Sequence, residues 1–505
     1  MRKTRIAVVI SLAIAALSPV RTLAAISDPV KTKDGKVSGV TLGSGVRAFK
    51  GIPFAAPPVG DLRWKEPQPP ARWEGVRKAD TFGNVCVQPN APKRVPNNVA
   101  VDLADSQKQS EDCLYLNVWT SAKRADARQP VMFWIYGGAY TEGAGSSPHN
   151  DGEALAGKGV VLVTFNYRLG PFGFFSHPEL TRESGRNASG NQALMDTIAA
   201  LRWVQGNIAA FGGDPNNVTI FGQSAGAAMV GGLVGSPVVK GLFQRAIAQS
   251  GQWMGLGMAP MVPLARAEHP QRFRGGPPGA QAKAEEPPTD FPPLAELRGR
   301  STEEISKTLR GSGMIIDGWI VPQDLSITYA QGKQNPVDVI VGSNKDEHLA
   351  MGGNVAFRDT LMWDMRLFAE RQTAIGKHAY WYFFTHEPPV EPGARDLKAT
   401  HAAEIPYVFE TLSAPRSIPD TSSPRLAAAS QKDRDMADMV SSYWVNFAKT
   451  GDPNGGKLPA WPVFKDPNQP PHILGEITEC PNADVLNAYD ERYKRMLATL
   501  TSAQK

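Results

Sequence analysis

The sequence predicts an α/β fold with a largely parallel sheet covered by helices on both faces. Two observations carry this. The first is a set of short apolar runs rich in β-branched and aromatic residues: Val131 to Tyr136, Val160 to Phe165, Val218 to Phe221 and Val337 to Val341. Each ends at glycine, asparagine or another turn residue, as strands do. Their near-continuous apolarity suits strands buried on both faces. The second is helical periodicity between them. In Gln192 to Phe211, Leu194, Ile198, Leu201 and Ile208 recur at helical spacing. Asp435 to Lys449 is a second helix, stopped by Gly451 with Pro453 just beyond. Strands alternating with helices make a parallel sheet.

The bulk composition fits one large globular unit. The chain has 505 residues, 42% hydrophobic and 20% charged, and a net charge of +5. That small excess is not gathered into a basic tract, so it reads as solubility and weak steering, with no nucleic-acid footprint. No CxxC pair, HExxH or GxxxxGK[ST] occurs, so no metal or nucleotide cofactor is expected. The N-terminus has the layout of a secretory leader. Arg2, Lys3 and Arg5 precede an apolar run from Ile6 to Leu17, and small residues follow at Thr22, Ala24 and Ala25. The run is shorter than the ~20 residues that span a bilayer. The expected organisation is a leader over residues 1–25 and one catalytic domain over 26–505, exported to the periplasm or outside the cell, with no membrane span. The oligomeric state is not specified by the sequence.

Two segments fall outside the alternating pattern. Pro260 to Pro293 is crowded with proline and glycine and reads as a surface loop, with part of a lid as the alternative. Ala414 to Arg425 reads as a plain loop. Of the three cysteines, Cys86 and Cys113 bracket a polar loop, and clipping it would stabilise the fold by roughly 3 kcal/mol. Cys480 would then be left as a free thiol.

Gly222-Gln223-Ser224-Ala225-Gly226 is the sole GxSxG of the chain. It follows the strand Val218 to Phe221 and precedes a small-residue stretch, Ala225 to Val230, able to start a helix. This is the strand, sharp turn, helix context in which a serine oxygen is held out of a sheet as a nucleophile. A serine hydroxyl needs a base, and the base needs an acid to orient it. In this chain order the acid and then the histidine follow the serine, from loops after strands. The strand Val337 to Val341 leads into Gly342-Ser343-Asn344-Lys345-Asp346-Glu347, which makes Asp346 and Glu347 the acid candidates. His348 adjoins the acids, His378 lies at the wrong end of the strand Ala379 to Phe384, and His472 sits in a turn-rich tail. His386 and His401 remain even as base. For the oxyanion, backbone N–H groups of Gly137 and Gly138, at the end of another strand, and of Ala225 are the candidate donors.

These motifs resemble the type-B carboxylesterase family, which includes the cholinesterases and many bacterial esterases. Phe211-Gly212-Gly213-Asp214-Pro215 with Val218 to Gly226 is similar to the family's serine signature. Glu111 to Val118 is similar to its second signature, Phe49 to Ala55 to an N-terminal motif, and Asn166-Tyr167-Arg168 to a further one. The resemblance implies an α/β-hydrolase fold with insertions around the site. It implies Glu347 as the acid, from the Asn-Lys-Asp-Glu segment, and His401 as the base, from His401-Ala402-Ala403-Glu404-Ile405-Pro406. It also implies a Cys86–Cys113 disulfide. Trp253 lines the acyl pocket by analogy, with core packing as the equal alternative.

The chain departs from the family in three places. Ala402 replaces the glycine that follows the histidine, so a positive φ there would be strained. The stretch from Glu347 to His401 is short, and the helices that roof the family's pocket are missing around Met351 to Asp359, so an open site is expected. Gln223 stands where cholinesterases carry glutamate. The expected activity is cofactor-free hydrolysis of small carboxylic esters through an acyl-enzyme on Ser224. The alternatives are a lipase, or a binding protein on the same fold that has lost catalysis.

Overall fold

The apolar runs form the centre of a ten-stranded sheet. The computed structural model describes residues 26–89, 108–254, 261–268, 291–311, 313–350, 352–390, 396, 398–413, 428–476 and 483–502. In chain order the sheet contains β1 (Val40–Thr41), β2 (Arg47–Pro53), β3 (Tyr115–Thr120), β4 (Gln129–Ile135), β5 (Val161–Phe165), β6 (Gly213–Gln223), β7 (Arg245–Gln249), β8 (Asp338–Asn344), β9 (Ala379–Phe384) and β10 (His472–Leu474). Across the sheet the order is β10-β9-β8-β7-β6-β4-β5-β3-β2-β1. Pairing is parallel from β5 through β4 and β6 out to β10. At the other edge β3, β2 and β1 pair antiparallel.

Burial explains the apolar runs. Every residue of β5 is buried, and so is every residue of β4 after Gln129. Four helices matter most for the site: α1 (Gln192–Asn207), α2 (Ala225–Val234), α3 (Val355–Ala374) and α4 (Gln431–Thr450). The periodic run read as one helix to Phe211 instead tightens into a 3₁₀ turn over Ile208–Phe211, closed by Gly212 at φ 81°. Helix α4 starts four residues before the expected Asp435, because Ser430 and Asp433 form a capping box. It ends at Gly451 in the left-handed conformation, as expected. Strand β6 begins earlier than the sequence suggested, and its pairing with β4 breaks register between Gly213 and Val218, around Pro215.

Cys86 and Cys113 are disulfide-bonded, as the resemblance implied. Of the segment Pro260 to Pro293, the described parts include a two-residue strand, Val262–Pro263, paired with Ile315–Ile316, and a short helix, Leu264–Ala267. Residues 260 and 269–290 of that segment, Ala414 to Arg425, the leader 1–25 and Cys480 lie outside the described residues. Among the described residues no helix is long and apolar enough to cross a membrane.

One buried ion pair locks the sheet to α1. Arg168, just beyond β5, meets Asp196 of α1 through its Nη2 at 2.8 Å and its backbone N–H at 2.9 Å. The two side chains are 3% and 0% exposed. Removing one partner strands the other charge out of water. Arg168→Ala should therefore destabilise the fold by about 3–5 kcal/mol, read as a fall in the denaturant midpoint.

Candidate active site

Parallel strands deliver their C-terminal ends to one edge of the sheet, and the chemistry-bearing residues gather there. Across the register Gln223 pairs with Gln249, and Gln249 with Gly342. The residues following β6, β7 and β8 are therefore neighbours. They are Ser224, Ser250 and the turn that carries Glu347.

Ser224 sits on the turn between β6 and α2 with φ 57° and ψ −124°. A non-glycine residue holds such a conformation only where its surroundings enforce it. Its N–H donates to the Gln249 carbonyl at 2.8 Å, and its own carbonyl accepts from Ala228 at 2.9 Å. The turn is so close to β4 that a Cβ on Gly226 would lie 2.0 Å from the Ile135 carbonyl oxygen. Gly137 presses on the turn from the end of β4: a Cβ there would lie 2.7 Å from the Gln223 carbonyl oxygen and 3.0 Å from the Ser224 Cβ. Among the described residues the N–H groups of Gly137, Gly138 and Ala225 have no hydrogen-bond acceptor. All three stand around the serine turn.

Of the two acids left open by the sequence, Asp346 turns away. It pairs with Lys345 at 3.1 Å and accepts from the Ala399 N–H at 3.2 Å. Glu347 is 0% exposed and its Oε2 is 2.5 Å from Nδ1 of His401. Its other oxygen accepts from the Asn344 N–H at 2.9 Å and from the Ser250 hydroxyl at 2.6 Å. Of the two histidines, His386 is enclosed elsewhere, between Asp433 at 2.9 Å and Glu476 at 3.0 Å. His401 is the histidine at the serine edge. Ala402 takes φ 67°, the conformation for which the family's glycine is suited.

Burial alone would push the His401 ring toward its neutral form. The charge and hydrogen bond of Glu347, with the charge of Glu404, outweigh that and hold its pKa above the ordinary imidazole value. Glu404 is itself buried, and desolvation together with the Glu347 charge raises its pKa. It accepts from Asn344 Nδ2 at 2.6 Å and Gln249 Nε2 at 3.1 Å. The hydrogen-bond contact of His401 Nε2 is with Gln223 Nε2 at 3.3 Å, not with Ser224 Oγ.

The candidates Ser224, Glu347 and His401 came from the sequence and its resemblance, whereas Ser250, Asn344, Glu404 and Gln223 had been given no role in catalysis. Asn344 and Glu404 lie inside motifs already singled out, and that adjacency was the available clue. Ser250 at φ 55° had no such marker. Trp253 is 4% exposed, its ring edge-on to Phe368 at 4.9 Å and against Gly231 of α2. Over the stretch where roofing helices were expected to be missing, α3 begins at Val355, and its Phe357 ring lies 6.1 Å from that of His401. Among the described residues no cluster able to hold a metal occurs.

Whole-chain comparisons with known proteins give the family. A sequence profile of the carboxylesterase family matches residues 27–362 and 353–493. The chain is 37% identical over 476 residues to fumonisin B1 esterase of Sphingopyxis macrogoltabida, covering 86% of this chain and 84% of that one. It is 33% identical over 494 residues to para-nitrobenzyl esterase of Bacillus subtilis, covering 89% and 95%. The crystal structure of a Geobacillus stearothermophilus carboxylesterase superposes with a TM-score of 0.71 at 32% identity, covering 88% of this chain and 96% of that one. The sheet and its helices are those of the α/β-hydrolase fold. The chain belongs to the carboxylesterase family and is a carboxylic ester hydrolase.

Proposed function

We propose that the chain hydrolyses small-molecule carboxylic esters through an acyl-enzyme on Ser224, with His401 as base and Glu347 as its orienting acid. The observation that carries this is the 2.5 Å contact of Glu347 with His401 Nδ1. It puts the proton of the neutral ring on Nδ1 and leaves on Nε2 the lone pair that takes the serine proton. Ser224 attacks the ester carbonyl as His401 takes its proton. The N–H groups of Gly137, Gly138 and Ala225 receive the developing oxyanion. The alcohol leaves with the proton from His401. Water then attacks the acyl group with His401 again as base, the acyl–Oγ bond breaks, the acid departs and His401 returns the proton to Ser224. Trp253, 4% exposed and packed against Phe368 and Gly231, supports the core-packing reading over a place in the acyl pocket. The chain works in an oxidising compartment, reached through the leader 1–25, where the Cys86–Cys113 bond persists.

The test is pre-steady-state hydrolysis of a chromogenic ester. A burst of alcohol equivalent to the enzyme present supports an acyl-enzyme; a reaction with no covalent intermediate detectable by quench and mass analysis contradicts it. The pH profile is a second expectation. The base must be neutral to act, so kcat/KM should fall as pH drops through the ring's pKa. Since that pKa is raised, the midpoint of the acid limb should lie above the ordinary value of about 6.5.

A further inference from the structure

We propose that Gln223 is a positioning residue for His401, donating its amide N–H to the Nε2 lone pair of the neutral ring and, once the ring is charged, accepting a hydrogen bond from Nε2–H through its amide oxygen until that proton passes to the leaving alcohol. The inference rests on the reading of Ser224, His401 and Glu347 given above.

The imidazole ring has two hydrogen-bond places, Nδ1 and Nε2. Nδ1 is committed to Glu347 at 2.5 Å, so in the neutral ring Nε2 carries one lone pair and no proton. Only a donor can meet it favourably. The atom that meets it is the amide nitrogen of Gln223, at 3.3 Å. Gln223 is 1% exposed, and as the last residue of β6 it adjoins Ser224 in the chain. Its amide oxygen faces the β4 end, 3.1 Å from where a Gly137 side chain would begin. When the ring takes the serine proton, Nε2 becomes a donor and can no longer accept from that amide. Rotation of the amide by half a turn presents its oxygen instead. An amide has a face for each state of the base; a carboxylate at this position has a face only for the charged state.

The remaining groups around the ring are fixed. From the turn after β8 comes Glu347, and from the start of the Ile405–Val408 helix comes Glu404, the two carboxylates that act on the ring. From α3 comes the uncharged ring of Phe357. The Tyr382 hydroxyl of β9 lies within range of both carboxylates, and burial keeps it protonated. A change of charge at residue 223 is therefore felt by the ring beside the carboxylates of Glu347 and Glu404, which the substitution does not touch.

The experiment compares kcat/KM against pH for the full chain, Gln223→Glu and Gln223→Met. Gln223→Glu adds a negative charge beside the imidazolium, so its acid limb should move up by about one pH unit or more. Gln223→Met keeps the length and removes both hydrogen-bond faces. Its limb should move by less than half as much, and its kcat should fall about tenfold or more as the charged ring loses its acceptor. An unshifted limb in Gln223→Glu, or an unchanged kcat in Gln223→Met, overturns the proposal. Fluorophosphonate labelling of the unaltered chain separates the two levels. If Ser224 does not label, the triad reading fails and this inference with it. If Ser224 labels and the limb does not move, this inference alone fails.

Discussion

Ser224→Ala is expected to lower turnover on the order of a million-fold while leaving the fold intact, because in the proposed mechanism Ser224, His401 and Glu347 act as a unit and the rest of the site would retain only binding and oxyanion stabilisation. The strained backbone at φ 57° belongs to the turn, not to the hydroxyl. Alanine accepts the same conformation at similar cost, so thermal stability should hardly change. Measurement of kcat on a soluble short-chain ester beside a melting curve checks both halves. Near-normal hydrolysis in a folded Ser224→Ala chain contradicts the assignment.

Glu347→Gln should cost roughly ten-thousand-fold in kcat, through the tautomer of His401. The wild-type Oε1 accepts from the Asn344 backbone N–H and the Ser250 hydroxyl. The backbone donor cannot turn away, so a glutamine must keep its oxygen there. Its NH₂ then faces Nδ1 of His401, where the carboxylate oxygen had been at 2.5 Å. A ring that accepts at Nδ1 carries its proton on Nε2, the position that must be empty to receive the serine proton. The loss should appear in kcat far more than in KM, since the glutamate does not touch substrate. An equal loss in Glu347→Gln and in a control such as Asp346→Asn would instead indicate a general disturbance of the turn.

The parts of this site legible in the sequence were those fixed by short-range patterns. The serine turn was readable because strand, GxSxG and helix are contiguous, and the close approach of Gly226 to Ile135 requires the glycine the motif displays. The acid was narrowed to adjacent residues by the strand that precedes it. The base was not decided by local pattern. His386 and His401 both follow β9, and what separates them is distant: Asp433 and Glu476 enclose one, Glu347 holds the other. The family resemblance supplied that choice. The contacts of Ser250, Glu404 and Gln223 depend on which strands lie side by side, and sheet order is a long-range property. The early start of α4 escaped a reading by hydrophobic periodicity because its first turn is set by the polar capping pair Ser430 and Asp433.

Whether Ser224 is a nucleophile driven by His401 is tested most directly by treating the protein with a fluorophosphonate and locating the adduct by peptide mass spectrometry. One adduct per chain is expected, on the peptide containing Ser224, absent from Ser224→Ala and formed far more slowly in His401→Ala. No adduct at Ser224 in an ester-hydrolysing preparation, or labelling as fast without His401 as with it, would contradict the account.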